Sequence, residues 1–368
     1  MVDLRFELDW ASAGSGDPAV RATAARLGIY VGDTSLTRSE DIWSKTVSDR
    51  VLVSAYPLAM WLASSWWRLN FEPVSSSRTR PAHDWRMAHE LGAANHGYVW
   101  PSVVMAADGE FMQVWAAPSQ SPEQSLQYLQ GLVRPQFIAL GRFQQSVDVF
   151  IRTILNRLNA TDLGGSDLAQ LWSFVQEDLA NREVFRRRKL EAELGFDPEE
   201  CPEEVLEAAL QWEGTVGDTA LTELAPAIAQ AGGAPDLDTI GRLAEMRGLI
   251  GRPLLQPGDI HQARDGLPWE RAVSAARALR QMINNRREPL RDRNLYDLLG
   301  LTTDQISNWQ VPSARSQLAV AMPVDSNQLE YVPRKRNPQA KRFELARFLG
   351  EHLNRDTNQG GCFVSGTV

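Results

Sequence analysis

The sequence predicts an α+β protein that is mainly α, and three observations carry the prediction. Eight of the twelve tryptophans (Trp10, Trp43, Trp61, Trp66, Trp67, Trp85, Trp100 and Trp115) lie in the first 115 residues, which marks a module of its own composition. Within that module, runs such as Met1-Val2-Asp3-Leu4-Arg5-Phe6-Glu7-Leu8 alternate charged and apolar residues, the period of a half-buried strand. From about residue 119 the apolar spacing changes to three and four, the period of a helix. These shifts divide the chain into a Trp-rich α+β module (1–118), a helical domain (119–266) and a third domain (267–368).

In order, strands are predicted over Val2 to Trp10, Arg26 to Val31, Tyr98 to Ala106 and Glu110 to Ala116. Asp108-Gly109 gives a hairpin turn between the last two. Pro57 to Leu69 reads as one helix with proline at its start. Its Trp61, Trp66 and Trp67 read as core, although Trp66 and Trp67 point in different directions on a helix, which leaves one of them available to a partner. Ser121-Pro122-Glu123-Gln124 is a capping box expected to open a helix through Leu126, Leu129 and Leu132. Helices follow over Ile138 to Leu158, Gly165 to Leu194, Cys201 to Trp212, Asp218 to Ala231 and Asp236 to Met246. The third domain is expected to hold helices at Trp269 to Asn284 and Asp292 to Leu299, then a hairpin of Gln317 to Met322 with Gln328 to Val332. A helix from Pro338 follows, and Asn354 to Val368 reads as a loop or frayed end.

A chain of 368 residues, 43% hydrophobic and 23% charged, can form two or three domains with substantial cores. The N-terminal residues lack the apolar stretch of a secretory signal, and no apolar run is long enough to span a bilayer. Cys201 and Cys362 are too far apart for a disulfide framework or a metal knuckle, so a reducing cytoplasm is the expected compartment. A net charge of -8 disfavours overall attraction to nucleic acid. Glycine-rich phosphate loops and the Gly-x-Ser-x-Gly elbow are absent, which argues against a nucleotide enzyme and the commonest hydrolases.

Near the C-terminus the chain reads Lys341-Arg342-Phe343-Glu344-Leu345-Ala346-Arg347-Phe348-Leu349-Gly350-Glu351-His352-Leu353. Arg342, Phe343, Leu345, Ala346, Leu349, Gly350 and Leu353 match the motif helix of the ImmA/IrrE family, which the last hundred residues resemble. The resemblance implies a metallopeptidase-like domain in which an upstream helix and a hairpin lead into the motif helix. Family members hold zinc through the two histidines of His-Glu-x-x-His and a carboxylate on a later helix. Here those three motif positions are Arg347, Phe348 and Glu351, and the sequence stops at Val368 before such a later helix, so the resemblance implies an incomplete or degenerate domain.

Phenylalanine cannot take a proton from water, which makes Phe348 a catalytic dead end. Arg347 and Glu351, four apart on one face, are expected to pair where zinc would sit, for about 0.3–0.5 kcal/mol on an exposed helix. Glu351 and His352 diverge by about 100° and make a poor chelate, so a solvated helix edge is the preferred reading there.

Other candidates stand beside plainer readings. His83, His89 and His96 fall within fourteen residues, and His89, Glu90 and His96 are weak metal candidates, since their spacing matches no common zinc pattern. A polar loop over the aromatic core is the alternative. Arg186-Arg187-Arg188-Lys189 lies between acids, which favours a charged helix face with i,i+4 pairs over a phosphate or nucleic-acid contact. Arg334-Lys335-Arg336, and Arg286-Arg287 with Arg291 and Arg293, would join that cluster in one basic surface if the fold brings them together.

Taken with the resemblance, the expected function is that of a non-catalytic pseudopeptidase-like regulator in a bacterial stress, mobile-element or phage-defence system. It would bind a partner protein, such as the product of a neighbouring gene, with no cofactor and no membrane contact. The alternatives are an active zinc endopeptidase with unconventional ligands such as His89 and His96, and a nucleic-acid-binding regulator.

Overall fold

The computed structural model of this chain describes residues 2–12, 16–74, 81–121, 124–216, 222, 247–260, 266–285, 287–311, 319–325, 327–354 and 363–365. They belong to two units, Met1–Leu206 and Glu207–Val368. Several expectations lie outside the described residues: the helices Asp218 to Ala231 and Asp236 to Met246, Pro122 and Glu123 of the capping box, Arg286, Gln317 and Cys362. The mixed α+β character is as predicted, and no described helix is long and apolar enough to cross a membrane.

In the first unit, β1 (Leu4–Trp10) pairs antiparallel along its length with β2 (Ala24–Val31), after the short helix α1 (Pro18–Ala22). The far edge of β2 takes β3 (Thr34–Ser35) and β6 (Val51–Ser54). A second sheet is built on the hairpin of β7 (Ser102–Ala107) and β8 (Phe111–Ala117), extended by β10 (Gln136–Ala139). Its turn forms at Asp108-Gly109 as predicted: Gly109 has φ +94°, and Asp108 Oδ1 accepts from the N–H groups of Glu110 and Phe111.

The predicted helix at 57–69 is two, α2 (Tyr56–Ser64) and α3 (Trp66–Phe71), which break at Ser65. Helix α2 is apolar nearly all round and buried accordingly, and α3 buries Arg68 and Asn70 beside its apolar residues. Trp66 and Trp67 are each under 5% exposed, so neither is left for a partner. Trp66 meets Trp172 edge-on at 5.2 Å, and Trp67 packs with Phe71 and Phe185.

The capping-box expectation fails. Leu126–Tyr128 is a strand, β9, paired with β4 (Ser39–Asp41), which also takes β5 (Val47–Ser48). Tyr128 is buried, its hydroxyl donates to the Val99 carbonyl at 2.6 Å, and its N–H donates to Ser119 Oγ at 2.9 Å. These distant partners outweigh the local helix signal.

Helical structure begins at α5 (Leu140–Asn159), whose Phe150 stacks on Phe6 of β1 at 4.4 Å. The expected run at 165–194 is α6 (Asp167–Ala180) and α7 (Arg182–Glu193), divided at Asn181, whose side chain caps α7. The last helix to begin in the first unit, α8 (Glu203–Val216), runs across the boundary. One hydrophobic core joins β1, α2, α3, β7, β8, α5, α6 and α7, so the Trp-rich module and the following helices fold as a single body.

In the second unit, β12 (Ala319–Asp325) and β13 (Gln328–Val332) form the predicted hairpin, flanked by β11 (Leu249–Gly251) and β14 (Phe363–Ser365). The strand β14 corrects the expectation of a loop, because Phe363–Ser365 pairs with Ala319–Ala321. Helix α9 (Pro268–Met282) lays Ala275, Ala278 and Leu279 on the core while Val273 stays about half exposed. Helix α10 (Asp292–Leu299) matches its predicted bounds and ends at Gly300, whose φ of +66° and close approach to the Arg252 backbone leave no room for a side chain. The unpredicted α11 (Thr303–Asn308) opens with a reciprocal Thr302–Gln305 capping box. The motif helix is α12 (Pro338–Asn354).

Candidate functional site

Helix α12 turns three leucines and Phe348 inward. Leu345, Phe348, Leu349 and Leu353 belong to the second core, and Phe348, 1% exposed, packs against Tyr331 at 5.5 Å. Phe348 is therefore a core aromatic. Arg347 and Glu351 are half-buried. His352 departs from the expected solvated edge: it is buried, with Nε2 2.9 Å from the Leu255 carbonyl oxygen. Of the residues that match the family helix, Phe343 is 61% exposed, while Arg342 pairs with Asp292 at 2.6 Å.

One turn earlier, Glu344 is buried, and its Oε2 accepts from the N–H groups of Arg334 and Lys335 at 2.9 and 3.3 Å. Burial raises its pKa above the usual carboxylate value, against the opposing pull of those two N–H groups. A raised native pKa means that the folded chain holds the proton more tightly than the unfolded one. Its contribution is fully present below about pH 4.5 and is lost as pH rises through the native value. Glu344→Gln keeps an oxygen for both N–H groups without the charge, so its melting temperature should gain on the parent as pH rises from 4 to 8. A constant difference across that range would contradict the burial argument.

The histidine segment is organised quite differently from a metal site. Helix α4 (His83–His89) carries His89 into the core at 0% exposure, where its ring stacks on Trp85 at 4.1 Å. His89 Nδ1 lies 2.7 Å from the Met105 carbonyl oxygen of β7, and Nε2 lies 3.0 Å from Glu72 Oε2. A carbonyl only accepts, so Nδ1 carries a proton, and both ring nitrogens are committed inside the fold. Glu90 is held by Arg86 through two hydrogen bonds of 2.6 and 2.7 Å. His96 lies on an exposed turn, Asn95-His96-Gly97, where three successive residues have φ of +43°, +62° and +76°. Among the described residues no group of three or more His, Cys, Asp or Glu side chains is placed to hold a metal ion.

Glu72 is the centre of a buried charge network that the sequence reading missed. Arg68, 2% exposed, donates to both Glu72 oxygens at 2.7 and 3.2 Å, to Asp84 at 3.0 Å, and lies 3.6 Å from Asp197. Burial opposes the guanidinium charge, but Glu72 and Asp84 outweigh it and hold the Arg68 pKa above the ordinary arginine value. Burial likewise raises the Asp197 carboxyl, against the pull of Arg68. The only sequence signal for this network was a charged pair at i,i+4 in an otherwise apolar helical run.

The network forms one wall of an open cavity of about 720 Å³ between α2, α4 and α6. Met60, Trp61, Met87 and Leu171 supply apolar lining, and Asp84, Asp167, Asp197 and His96 supply polar groups. Among the described lining residues Arg68 is the only arginine or lysine, and it is already engaged by Glu72, so these residues carry surplus negative charge.

The basic cluster on α7 is neutralised from within. Arg188 is buried and meets Asp178, Glu191 and Glu199 at 2.9, 2.9 and 2.5 Å, while Arg187 pairs with Glu203 and Lys189 with Glu193. The i,i+4 pairs are present as expected, but Arg188 is part of the interior and not of a solvated face. Arg186 is exposed. Of the second cluster, Arg334 and Lys335 are half-buried and Arg336 is exposed. The two clusters belong to different units. With the geometry described, comparison adds no relative: no family model, curated protein or solved structure matches this chain.

Proposed function

We propose that the chain is a non-catalytic interaction protein whose acid-rimmed cavity receives a basic side chain of a partner polypeptide. The observation that carries this reading is the combination of apolar walls at Met60, Trp61 and Leu171 with Asp84, Asp167 and Asp197 around one already engaged arginine. An arginine or lysine has the matching chemistry, an apolar stem that covers hydrophobic surface and a cationic head that reaches carboxylates. The core position of Phe348 supports a binding role for α12 over a peptidase one. A regulatory setting in bacterial stress, mobile-element or phage-defence systems rests on the resemblance of α12 to the ImmA/IrrE helix. The commitment of both His89 nitrogens speaks against a zinc endopeptidase built on that residue.

Calorimetric titration with Nα-acetyl-arginine methylamide tests the cavity. It should bind while the citrulline analogue, which has the same shape without the charge, should not. Asp167→Asn should weaken binding about fivefold, the effect of losing roughly 1 kcal/mol of exposed ion pairing. Equal binding of the two analogues, or an Asp167→Asn protein indistinguishable from the parent, would remove the proposal.

A further inference from the structure

A second cavity, smaller and opposite in charge, lies wholly within the second unit between α10, α11 and the start of α12. Its volume is about 270 Å³, and its lining includes Tyr296, Trp309, Arg336, Lys341, Arg342 and Asp292. Leu295, Ile306 and Leu345 connect that lining to the core of the unit, so the pocket has a fixed base. The Trp309 indole is anchored by its N–H to the Pro333 carbonyl at 2.9 Å.

We propose that this pocket binds a phosphomonoester. Arg342 is tied to Asp292 at 2.6 Å, whereas the Arg336 and Lys341 side chains form no ion pair with a described residue. Three cations against one carboxylate leave two positive charges, the complement of a phosphomonoester at neutral pH, which carries about -1.5 to -2. A carboxylate or a nucleic-acid diester brings only one negative charge and leaves the pocket unbalanced. The first turn of α12 adds its partial positive charge. Asn337 Oδ1 already takes the N–H groups of Gln339 and Ala340, so the Arg336 and Lys341 side chains are the donors to the ligand. Tyr296 and Trp309 provide aromatic surface for the apolar stem of the ester. The volume lies just below the range usual for drug-sized ligands, which suits one phosphoryl group on a single ring or short chain.

The test is calorimetry on the full chain with phenyl phosphate, benzoate, methyl phenyl phosphate and a phosphotyrosine tripeptide. Phenyl phosphate should bind at least tenfold more tightly than benzoate or the diester. Arg336→Ala and Lys341→Gln should each weaken it about tenfold while circular dichroism stays unchanged, the loss expected for one charge-assisted hydrogen bond. Tripeptide binding tighter than that of phenyl phosphate identifies a phosphorylated side chain as the source, and equal affinity identifies a small molecule; either upholds the site. Benzoate as tight as phenyl phosphate, no saturable binding at millimolar ligand, or two folded variants that bind like the parent would overturn it. The arginine titration of the first unit is unaffected by any of these outcomes.

Discussion

Glu72→Ala should destabilise the first unit by about 3–5 kcal/mol, because it leaves Arg68 charged, buried and without its bidentate partner. The same substitution removes the partner facing His89 Nε2, so a second buried polar atom is orphaned. Glu72→Gln retains one oxygen and most of the volume, and its loss should be smaller. Nine of the twelve tryptophans lie in the first unit, so urea unfolding followed by tryptophan fluorescence reports mainly on that unit. A midpoint for Glu72→Ala within 1 kcal/mol of the parent would show that water reaches Arg68 and that the network is not an interior one.

Phe348→Ala should cost the second unit about 3–5 kcal/mol, the usual range for emptying a buried phenylalanine site. Phe348→Glu should cost at least as much, since it forces a carboxylate against Tyr331 and the surrounding leucines. Phe348→Glu better tolerated than Phe348→Ala would show that water reaches this position; the reverse order is expected of a core site. Thermal unfolding monitored by circular dichroism decides between them.

Much of the local architecture was legible. Asp108-Gly109, Pro338 and the interval from Asp292 to Leu299 each carry a backbone signal that needs no distant partner, and each element appears where that signal places it. Leu126–Tyr128 misled because its strand depends on Ser39–Asp41, almost ninety positions earlier, and on a hydroxyl reaching Val99. The tail strand Phe363–Ser365 likewise depends on pairing with β12. The candidate sites were less legible still. His89 is a metal candidate by sequence, yet its partners are a backbone carbonyl of β7 and the glutamate that follows α3, neither marked by spacing. Arg188 read as surface charge because the three carboxylates that surround it come from α6, α7 and the following turn. Periodicity reports which side of an element is apolar; it is silent about which charges are brought together beneath it.

The Arg68 network also bears on how the chain reaches its native state. Its members arrive from α3, α4, β7 and the turn after α7, so no single element or hairpin contains them all. Any partly assembled form that packs α2 and α3 without α4 or the turn after α7 encloses Arg68 with Glu72 alone, and its remaining N–H donors lack Asp84 and Asp197. Collapse of the tryptophan-rich helices is therefore expected to gain its full stability only as the later segments dock, so urea unfolding of the first unit should follow a single transition.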